Sequence, residues 1–528
     1  MDLPCVSSTL TSITRSIKRY LVRKLIYLSS LKFVVERGYV SPKHSVNTMV
    51  KNIVDIVAGG IMFWMFGYGV AFGKDGNSLI GGGNFFFDPS KAQPYKQTYL
   101  YINWIFHFAF ASTAITIVSG SIAGRMKMSG YIAWAFIAPL FYSLVAHWQW
   151  SEEGWLSKMG FADFAGCGPV HIFGACGSLA GIIVVGPRIG RFNDDGKRGK
   201  DTLEIYEPDS VILGTLLLWW GWIGFNCGST FGIIGIKSAI AVRVGVCTMV
   251  AAVSGAATEL IKIFLPNISE NLASRATVRS SRISIIGTPV NFVSLIGVED
   301  NRIKVVELTN GILSSLVSIT ACCNCVNPRS AIIIGAIAPS VASFANKKVE
   351  EWRLDDPCGA VGVHGACGIW GLIALALFKQ NSLPGGNVGD NKDGLFYSGS
   401  FRQLGVQLLG ILCITCTGFL SSFAIFMLIK MRMRGTLRVA EHDELVGLDQ
   451  TDHDTSNLIT VLMSKPRDNI TDLLVEDVED NEMARNPITR MPNRVRVNEE
   501  ANSSNTDESG VQNSSDPQNS GEIELGDI

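Results

Sequence analysis

Two histidines, His171 and His364, occupy matching positions in two distant segments of the chain. Each segment has an Asp, a Gly three residues later, a Val seven later and the His eight later: Asp163, Gly166, Val170 and His171, then Asp356, Gly359, Val363 and His364. Neutral imidazole carries one donor and one acceptor, so two of them can share a proton and still bind a small polar solute. The spacing predicts two imidazoles lining a narrow pore, and two structural histidines in a tight helix interface are the alternative.

The residues around the histidines fit either interpretation. Those on the same helix face are small: Gly174, Ala175 and Ser178 for the first histidine, and Cys367, Gly368 and Gly371 for the second. Asp163 and Asp356 stand just before their apolar blocks, where a carboxylate accepts backbone N–H groups as a helix N-cap. An N-cap at a pore mouth would also leave a negative field for a cation.

Aromatic residues supply a second set of candidate contacts. They share a helical spacing or follow an apolar block: Phe106 and Phe110, then Trp222, Phe225 and Ser229, and Trp150. Aromatic faces and a hydroxyl can hold a small cation, with about 0.5–2 kcal/mol for each cation–π contact. Interfacial tryptophans and lipid-facing phenylalanines are the ordinary alternative.

Apolar blocks long enough to span a bilayer must position these side chains. Only 17% of the 528 residues are charged and the mean hydropathy is +0.26, whereas soluble domains carry about 25% charged residues. Ten spans are predicted: Ile53–Phe72, Leu100–Ile122, Ile132–Ala146, Val170–Val185, Val211–Phe231, Ala239–Phe264, Gly311–Cys325, Ser330–Phe344, Val361–Phe378 and Leu404–Ile429. The predicted fold class is an all-α polytopic membrane protein in a lipid bilayer.

The rest of the composition argues against several other classes. The net charge of −1 gives no reason to expect nucleic acid as a partner. Most of the 12 Cys lie inside apolar blocks, so we predict neither a disulfide framework nor a metal site, and no cofactor. Apart from the two histidines, no nucleophile–base pairing is evident, so the chain is not predicted to be an enzyme.

The histidine segments open the fourth and ninth predicted spans. Spans that are five apart cross a bilayer in opposite directions, because five is an odd number. One motif in two oppositely directed helices predicts inverted repeats whose halves meet near the bilayer midplane.

Basic residues are concentrated in alternate links. The links after the fourth, sixth and eighth spans and the start of the tail are rich in Lys and Arg. This pattern predicts that they are cytoplasmic, so the C-terminal tail is cytoplasmic too. Four regions are predicted: an atypical basic segment over 1–45, best fitted by an amphipathic helix on the cytoplasmic surface, a transmembrane domain over 46–430, an unusual cytoplasmic insertion over 266–299, and a tail over 431–528 with a disordered distal part.

Longer stretches resemble the Amt/Mep/Rh ammonium transporter family, on its Amt side, from about Gly38 to His453. They are Asp163 to His171 continuing to Arg188, Phe225 to Ser229, Ile319 to Cys322, Asp355 to His364, and Gly435 to Val439 with Gly447 to Thr451. The resemblance implies the ammonium transporter fold, with eleven helices in inverted five-helix repeats, about ten of them visible here. It also implies a homotrimer in the plasma membrane with one pore in each protomer.

The resemblance also implies roles at the outer end of the pore. Trp150, Phe110 and Ser229 would form the site that recruits NH4+. Phe110 and Phe225 would stack as a gate below it. The ion would lose its proton here, and NH3 would continue inward.

Deeper in the pore, His171 and His364 would be the twin histidines of the family. Asp163 would support the recruitment site, and Asp356 takes the matching position in the second half. Thr451 matches a regulatory phosphorylation site of some plant relatives, where added negative charge would repel the tail segment from its docking place.

The sequence departs from the family pattern in three places. Met1–Val35 lacks a good first transmembrane helix, the link Pro266–Glu299 is unusually long, and Gly359 and His107 replace the Asp and Gln of many relatives. Two alternative functions therefore stay open. One is an Rh-type gas channel that passes NH3 or CO2 without net charge, and the other is a non-transporting sensor or regulatory subunit.

Overall fold

The computed structural model describes residues 32–193, 199, 205–279, 304–389 and 392–453, with only the backbone over 263–279. These residues belong to one compact unit, Met1–Pro466. The predictions for 1–31, for the part of the insertion beyond 279 and for the distal tail lie outside the described residues, as does the second unit, Arg467–Ile528.

Ten helices of the described part correspond one by one to the ten predicted spans. They are α1 Pro42–Phe72, α2 Pro94–Ser121, α3 Met128–Trp150, α4 Cys167–Val185, α5 Pro208–Gly228, α6 Ile236–Arg279, α7 Val305–Thr320, α8 Pro328–Glu351, α9 Val361–Phe378 and α10 Arg402–Arg432. Nine of these described helices are long and apolar enough to cross a membrane, and α7 is a shorter apolar helix of 16 residues. The predicted all-α polytopic fold is confirmed, and α6 continues as helix beyond its predicted end, into the proposed insertion.

Prolines determine where several of these helices begin. α2, α5 and α8 each have proline in their first turn: Pro94, Pro208 and Pro328. Proline fits there because its missing N–H would have no partner in the first turn. At α8 the side-chain oxygen of Asn327 also accepts the amide of Ser330 at 3.0 Å, which satisfies one more free N–H group.

The inverted repeat extends beyond the histidine segments. α3 and α8, which are five helices apart, each contain an internal proline in the same tripeptide: Ile137-Ala138-Pro139 and Ile337-Ala338-Pro339. α4 and α9 each begin with a π-helical turn, Cys167–Ile172 and Val361–Ala366, and each turn contains the histidine. Turns of this kind are rare and occur frequently at functional sites.

The described part of the N-terminal segment differs from the surface helix predicted for it. Residues 32–39 are helical, and the side chains of Lys32 and Glu36 are only 5% and 7% exposed. Glu36 accepts hydrogen bonds from Asn52 at 2.9 Å and Ser119 at 2.6 Å. The surface prediction is therefore wrong for 32–39, because polar groups of α1 and α2 receive these charged side chains inside the bundle.

The first part of the tail packs against one end of the bundle. The amide of Lys127 donates to the carbonyl of Leu437 at 2.9 Å. Asp449 accepts the amides of Val46 and Asn47 at 2.9 and 2.8 Å, at the start of α1. Further contacts join this end to the links after α4 and α8, which belong to the set that the charge pattern predicts to be cytoplasmic.

Candidate pore

A cavity of about 500 Å³ opens at the end of the bundle away from the tail. Its walls come from the C-terminal ends of α1, α3 and α5, the first half of α2 and the loop before α4. The three residues predicted to recruit substrate, Trp150, Phe110 and Ser229, all line it. The structure therefore brings together residues that are far apart in the sequence.

The loop before α4 holds Trp150 at the wall of this outer cavity. The indole N–H donates to the backbone carbonyl of Asp163 at 2.9 Å. The Asp163 carboxylate accepts the amides of Gly166 and Cys167 at 2.9 Å and of Gly168 at 2.7 Å, so it caps α4. Gly166 has φ of +96°, and a Cβ there would lie 3.2 Å from the Trp150 ring. One carboxylate and one glycine thus fix the turn that positions the tryptophan.

Ser229 follows the C-terminal end of α5. Its hydroxyl donates to the carbonyl of Phe225 at 3.0 Å, which leaves the oxygen lone pairs available to a solute. Trp150 packs edge to face against Phe110 with ring centroids 5.7 Å apart. An acceptor oxygen and two aromatic rings therefore line one cavity, a combination suited to a small cation with N–H donors.

Phe110 and Phe225 close the inner side of the outer cavity. Their rings are stacked, with centroids 4.0 Å apart and 5° between the planes. Both side chains are 1% exposed. Water does not fit between rings at this separation, so a charged solute would have to lose its hydration to pass. This is the position that the resemblance implies for a gate.

His171 and His364 lie on the inner side of this stack. The His171 ring centroid is 6.2 Å from that of Phe225, and the two imidazole centroids are 5.2 Å apart. Their Nδ1 atoms are 3.2 Å apart, so one must donate a proton and the other accept it. The His171 Nε2 atom has no hydrogen-bond partner among the described residues.

A second cavity, of about 50 Å³, lies beyond the histidine pair. His364 lines it together with Lys32 and Trp222. The Trp222 ring also stacks on His171, with centroids 5.4 Å apart. Since one water takes about 30 Å³ of liquid volume, this inner cavity has room for one or two small molecules. The outer cavity, the stack, the histidines and the inner cavity form one path through the bundle.

Sequence reasoning missed the role of two residues on this path. Trp222 was grouped with Phe225 and Ser229 on one aromatic face, but it lies at the histidine pair instead of in the outer cavity. Its position one helical turn before Phe225 was the available indication, because one turn of α5 carries a side chain past the gate. Lys32 could not be placed from sequence because no clear span contains it.

Two predicted site residues lie away from the path. Asp356 is at the tail end of the bundle, where its Oδ2 atom accepts the amide of Val361 at 2.8 Å and caps α9. Thr451 is an exposed residue of the tail, two positions after the Asp449 that binds the start of α1. Neither is among the described residues that line the two cavities. Any effect of these residues on transport would act through the backbone or the tail.

Burial and neighbouring charges shift the carboxyl groups at both ends. Burial raises the pKa of Asp163 and of Asp356, although the capping amides oppose this shift. Burial would raise the pKa of Asp355 as well, but Arg125 and Arg188 outweigh it and hold that pKa well below its usual value. Asp355 is therefore a permanent negative charge at neutral pH.

Within the described residues no group of three or more His, Cys, Asp or Glu side chains could hold a metal ion. The features of the path are instead a cation-compatible cavity, a hydrophobic closure and a polar pair behind it, all inside a bundle of membrane-spanning helices. These features define a polytopic membrane transport protein.

The family of the protein follows from comparison with known proteins. The model of the Ammonium Transporter Family matches residues 20–265 and 263–458. The chain is 34% identical to "Putative ammonium transporter 3" of Caenorhabditis elegans, over 82% of this chain and 59% of that protein. It is 34% identical to "Ammonium transporter 1 member 1" of Arabidopsis thaliana, over 79% of each. The chain belongs to the ammonium transporter family as an Amt-type member, and the family is one of transporters, not enzymes.

Solved structures show the same fold. "Sensor Amt Protein" is 30% identical, with a TM-score of 0.68, and the match covers 84% of this chain and all of that one. Saccharomyces cerevisiae Mep2 is 20% identical with a TM-score of 0.65, over 80% of this chain and 86% of that one, which supports the fold alone. The family match begins at residue 20, ahead of Gly38, so it includes part of the N-terminal segment that was predicted to be atypical.

Proposed function

We propose that this protein transports ammonium across a membrane along the path between its two cavities. The observation that carries the proposal is the continuous series of ring contacts from Trp150, through the Phe110–Phe225 stack, to His171 and His364. The relatives described above are named as ammonium transporters, which supports the same substrate.

The outer cavity is where NH4+ would bind. The rings of Trp150 and Phe110 offer π faces, each worth about 0.5–2 kcal/mol to a cation, depending on how far it is desolvated. The Ser229 oxygen offers lone pairs for an N–H donor. Asp163 acts indirectly, because it holds the turn whose carbonyl positions Trp150.

Selectivity against K+ would come from proton loss. K+ is close to NH4+ in size, so a cation-binding cavity alone separates them poorly. The stacked Phe110 and Phe225 rings impose a large desolvation cost on any species that stays charged. Ammonium can become neutral by giving up a proton, whereas K+ cannot. The gate therefore favours the one cation that can discard its charge.

The histidine pair would carry neutral NH3 beyond the gate. NH3 has three N–H donors and one lone pair, and neutral imidazole nitrogens can either accept or donate. The unpartnered Nε2 atom of His171 is a polar contact in an otherwise apolar stretch. His364 then faces the inner cavity, whose small volume suits a molecule of this size.

The experiment that tests this function is growth of yeast without its own ammonium transporters on low ammonium. We expect the full chain to restore growth, and His171→Ala and His364→Ala each to lower uptake about 100-fold, the scale at which a positioned proton-transfer group contributes. Surface-expressed protein without ammonium-dependent growth would contradict the proposal. The exposed His442 provides the matched control, because His442→Ala should leave uptake unchanged.

Two other functions make different predictions in the same cells. A gas channel would carry NH3 without current, so currents that saturate with ammonium would exclude it. A sensor would bind ammonium without taking it up, and the 30% identity to a structure described as a sensor gives this alternative a specific basis. Binding measured on the purified protein, together with absent uptake, would favour the sensor.

We further propose a homotrimer in the plasma membrane with the tail in the cytoplasm. The basic links after the fourth and eighth spans share one end of the bundle with the tail, which supports the same sidedness for all of them. The mass of the detergent-solubilised complex tests the trimer, and protease protection in sealed cells tests the tail. A monomeric mass, or a tail cut from outside, would contradict the respective proposal.

A further inference from the structure

His107 is a polar residue of the outer cavity with no assigned role. It lies on α2, lines the cavity and is 5% exposed. Its ring is surrounded by aromatic rings, with centroids 4.0 Å away for Phe72, 5.5 Å for Trp150 and 5.6 Å for Phe231. Its contacts are therefore almost entirely with π faces, which anchor neither ring nitrogen.

The Nδ1 atom of His107 is buried and has no hydrogen-bond partner among the described residues. Buried polar atoms of folded proteins nearly always have a partner, either a protein group or a bound molecule. An unpaired ring nitrogen in the wall of a cavity of about 500 Å³ thus indicates a ligand in that cavity. The chemistry of the nitrogen then limits which ligand that can be.

We infer that His107 is a further substrate-binding residue of the outer cavity, where its neutral imidazole accepts a hydrogen bond from ammonium. The inference rests on the proposed transport function and extends it. It adds a second acceptor to the Ser229 oxygen, on the α2 side of the cavity. It also makes binding sensitive to the protonation of one residue.

The hydrogen-bond inventory of the cavity supports this role. Ammonium has four N–H donors and no acceptor, so its site must supply acceptors. The Trp150 N–H is a donor and already binds the Asp163 carbonyl, so the tryptophan contributes only its π face. Ser229 donates its proton to Phe225 and keeps its lone pairs. A neutral His107 provides the one additional lone pair on an imidazole at this cavity.

Acid would remove this acceptor. A protonated imidazole has two donors, no acceptor and a positive charge, so it would repel ammonium from the same cavity. No Lys or Arg is among the described residues lining the cavity. The titratable groups facing His107 from neighbouring elements are few: Asp163, whose carboxylate binds three amides, Tyr68 and Tyr99, and His147, whose ring contacts two backbone carbonyls behind Phe72.

Two substitutions separate the acceptor from the charge. His107→Phe keeps an aromatic ring against Phe72 and Phe231 but has no acceptor. His107→Gln keeps an acceptor and a donor but cannot be protonated. His442→Gln is the matched control, because it makes the same change at an exposed tail position. All are expressed as the full chain in yeast lacking its own ammonium transporters, with surface expression measured.

The measurement is the KM for uptake of isotopically labelled ammonium between pH 5 and 8. We expect His107→Phe to raise KM about 10-fold at pH 7.5, the loss typical of one hydrogen bond to a charged group. The KM of the unmodified chain should rise about 10-fold one pH unit below the imidazole pKa. That of His107→Gln should stay within about 2-fold over the same range. His442→Gln should follow the unmodified chain.

The outcomes distinguish this inference from the function beneath it. No uptake by the unmodified chain at the cell surface overturns both. Uptake with an unchanged KM in His107→Phe, or with the same pH profile in His107→Gln and the unmodified chain, overturns the inference alone. If His107→Phe does not reach the surface, the pH profile of His107→Gln decides the question.

Discussion

The two halves of the bundle build the same helix start and place it in opposite surroundings. In each half an Asp caps a π-helical turn that carries a histidine, and a glycine with positive φ follows the Asp by three residues: Gly166 at +96° and Gly359 at +62°. The residue before the capping Asp differs. It is Ala162 in the first half and Asp355 in the second.

That one position shows how the halves diverge. Ala162 has no polar side chain, and its backbone is paired by the amide of Gln407 at 3.0 and 2.7 Å. Asp355 binds Arg188 through two side-chain contacts of 2.8 Å and contacts Arg191 at 3.2 Å. The outer turn thus meets a neutral helix face, whereas the inner turn meets a cationic cluster. The comparison teaches that an inverted repeat preserves the backbone while the flanking residue adapts to its side of the membrane.

The largest expected effect is at the inner turn. Asp355→Ala would leave Arg188 and Arg191 without their buried partner, and we expect a loss of about 3–5 kcal/mol in the free energy of unfolding. Thermal or denaturant unfolding of the purified protein measures it. The exposed outer pair Lys158–Glu153 is the matched control, and Glu153→Ala should cause no measurable change. Equal effects would show that the two ends do not differ.

Acid sharpens the same test. The pKa of Asp355 is held below its usual value, so its contribution to stability is present above the unfolded pKa of about 3.9 and declines as pH falls below it. The difference in stability between the unmodified chain and Asp355→Ala should therefore be constant at neutral pH and shrink in acid. A difference that grows on acidification would contradict the ion-pair explanation.

The two capping carboxylates should differ next. Asp163 uses both oxygens on three amides, so Asp163→Asn would turn an NH2 group toward a backbone N–H and cost about 1–3 kcal/mol. The Oδ1 atom of Asp356 has no hydrogen-bond partner among the described residues, so Asp356→Asn can keep its bond to Val361 and should cost under about 1 kcal/mol. Unfolding of both variants under one set of conditions measures the difference. A larger loss for Asp356→Asn would reverse the comparison.

Two tryptophans separate binding from passage. Trp150→Leu removes a π face from the outer cavity, and we expect KM for ammonium to rise about 3- to 30-fold, the equivalent of about 0.5–2 kcal/mol. Trp222→Leu removes the ring stacked on His171, and we expect the maximal rate to fall while KM changes little. Concentration series of uptake distinguish the two parameters. A rise in KM for Trp222→Leu would place substrate binding on the inner side of the gate.

The smallest effect is expected in the tail. Thr451→Asp adds negative charge beside Asp449, which binds the start of α1. Repulsion at an exposed position is worth about 1 kcal/mol or less, so we expect uptake to fall about 2- to 5-fold. Thr451→Asn is the neutral control. Unchanged uptake by Thr451→Asp would remove the proposed regulatory role of Thr451.

The fold could be predicted from sequence because the spans are apolar and separated by polar links. The histidine pair was predictable for a related reason, since the repeated spacing places both residues at equivalent turns. Trp222 was misplaced because periodicity shows which face of a helix it occupies but not its depth along the axis. Lys32 was missed because its charge argues against burial, and only the polar groups of neighbouring helices make that burial possible.

The stacked rings of Phe110 and Phe225 have a consequence for cellular energetics. Hydronium moves through a membrane quickly only along an unbroken file of water, and rings with centroids 4.0 Å apart interrupt such a file. A pore closed in this way does not discharge the proton gradient while it is idle. A cell could therefore raise the number of copies to scavenge scarce nitrogen without short-circuiting the membrane that powers its other uptake systems.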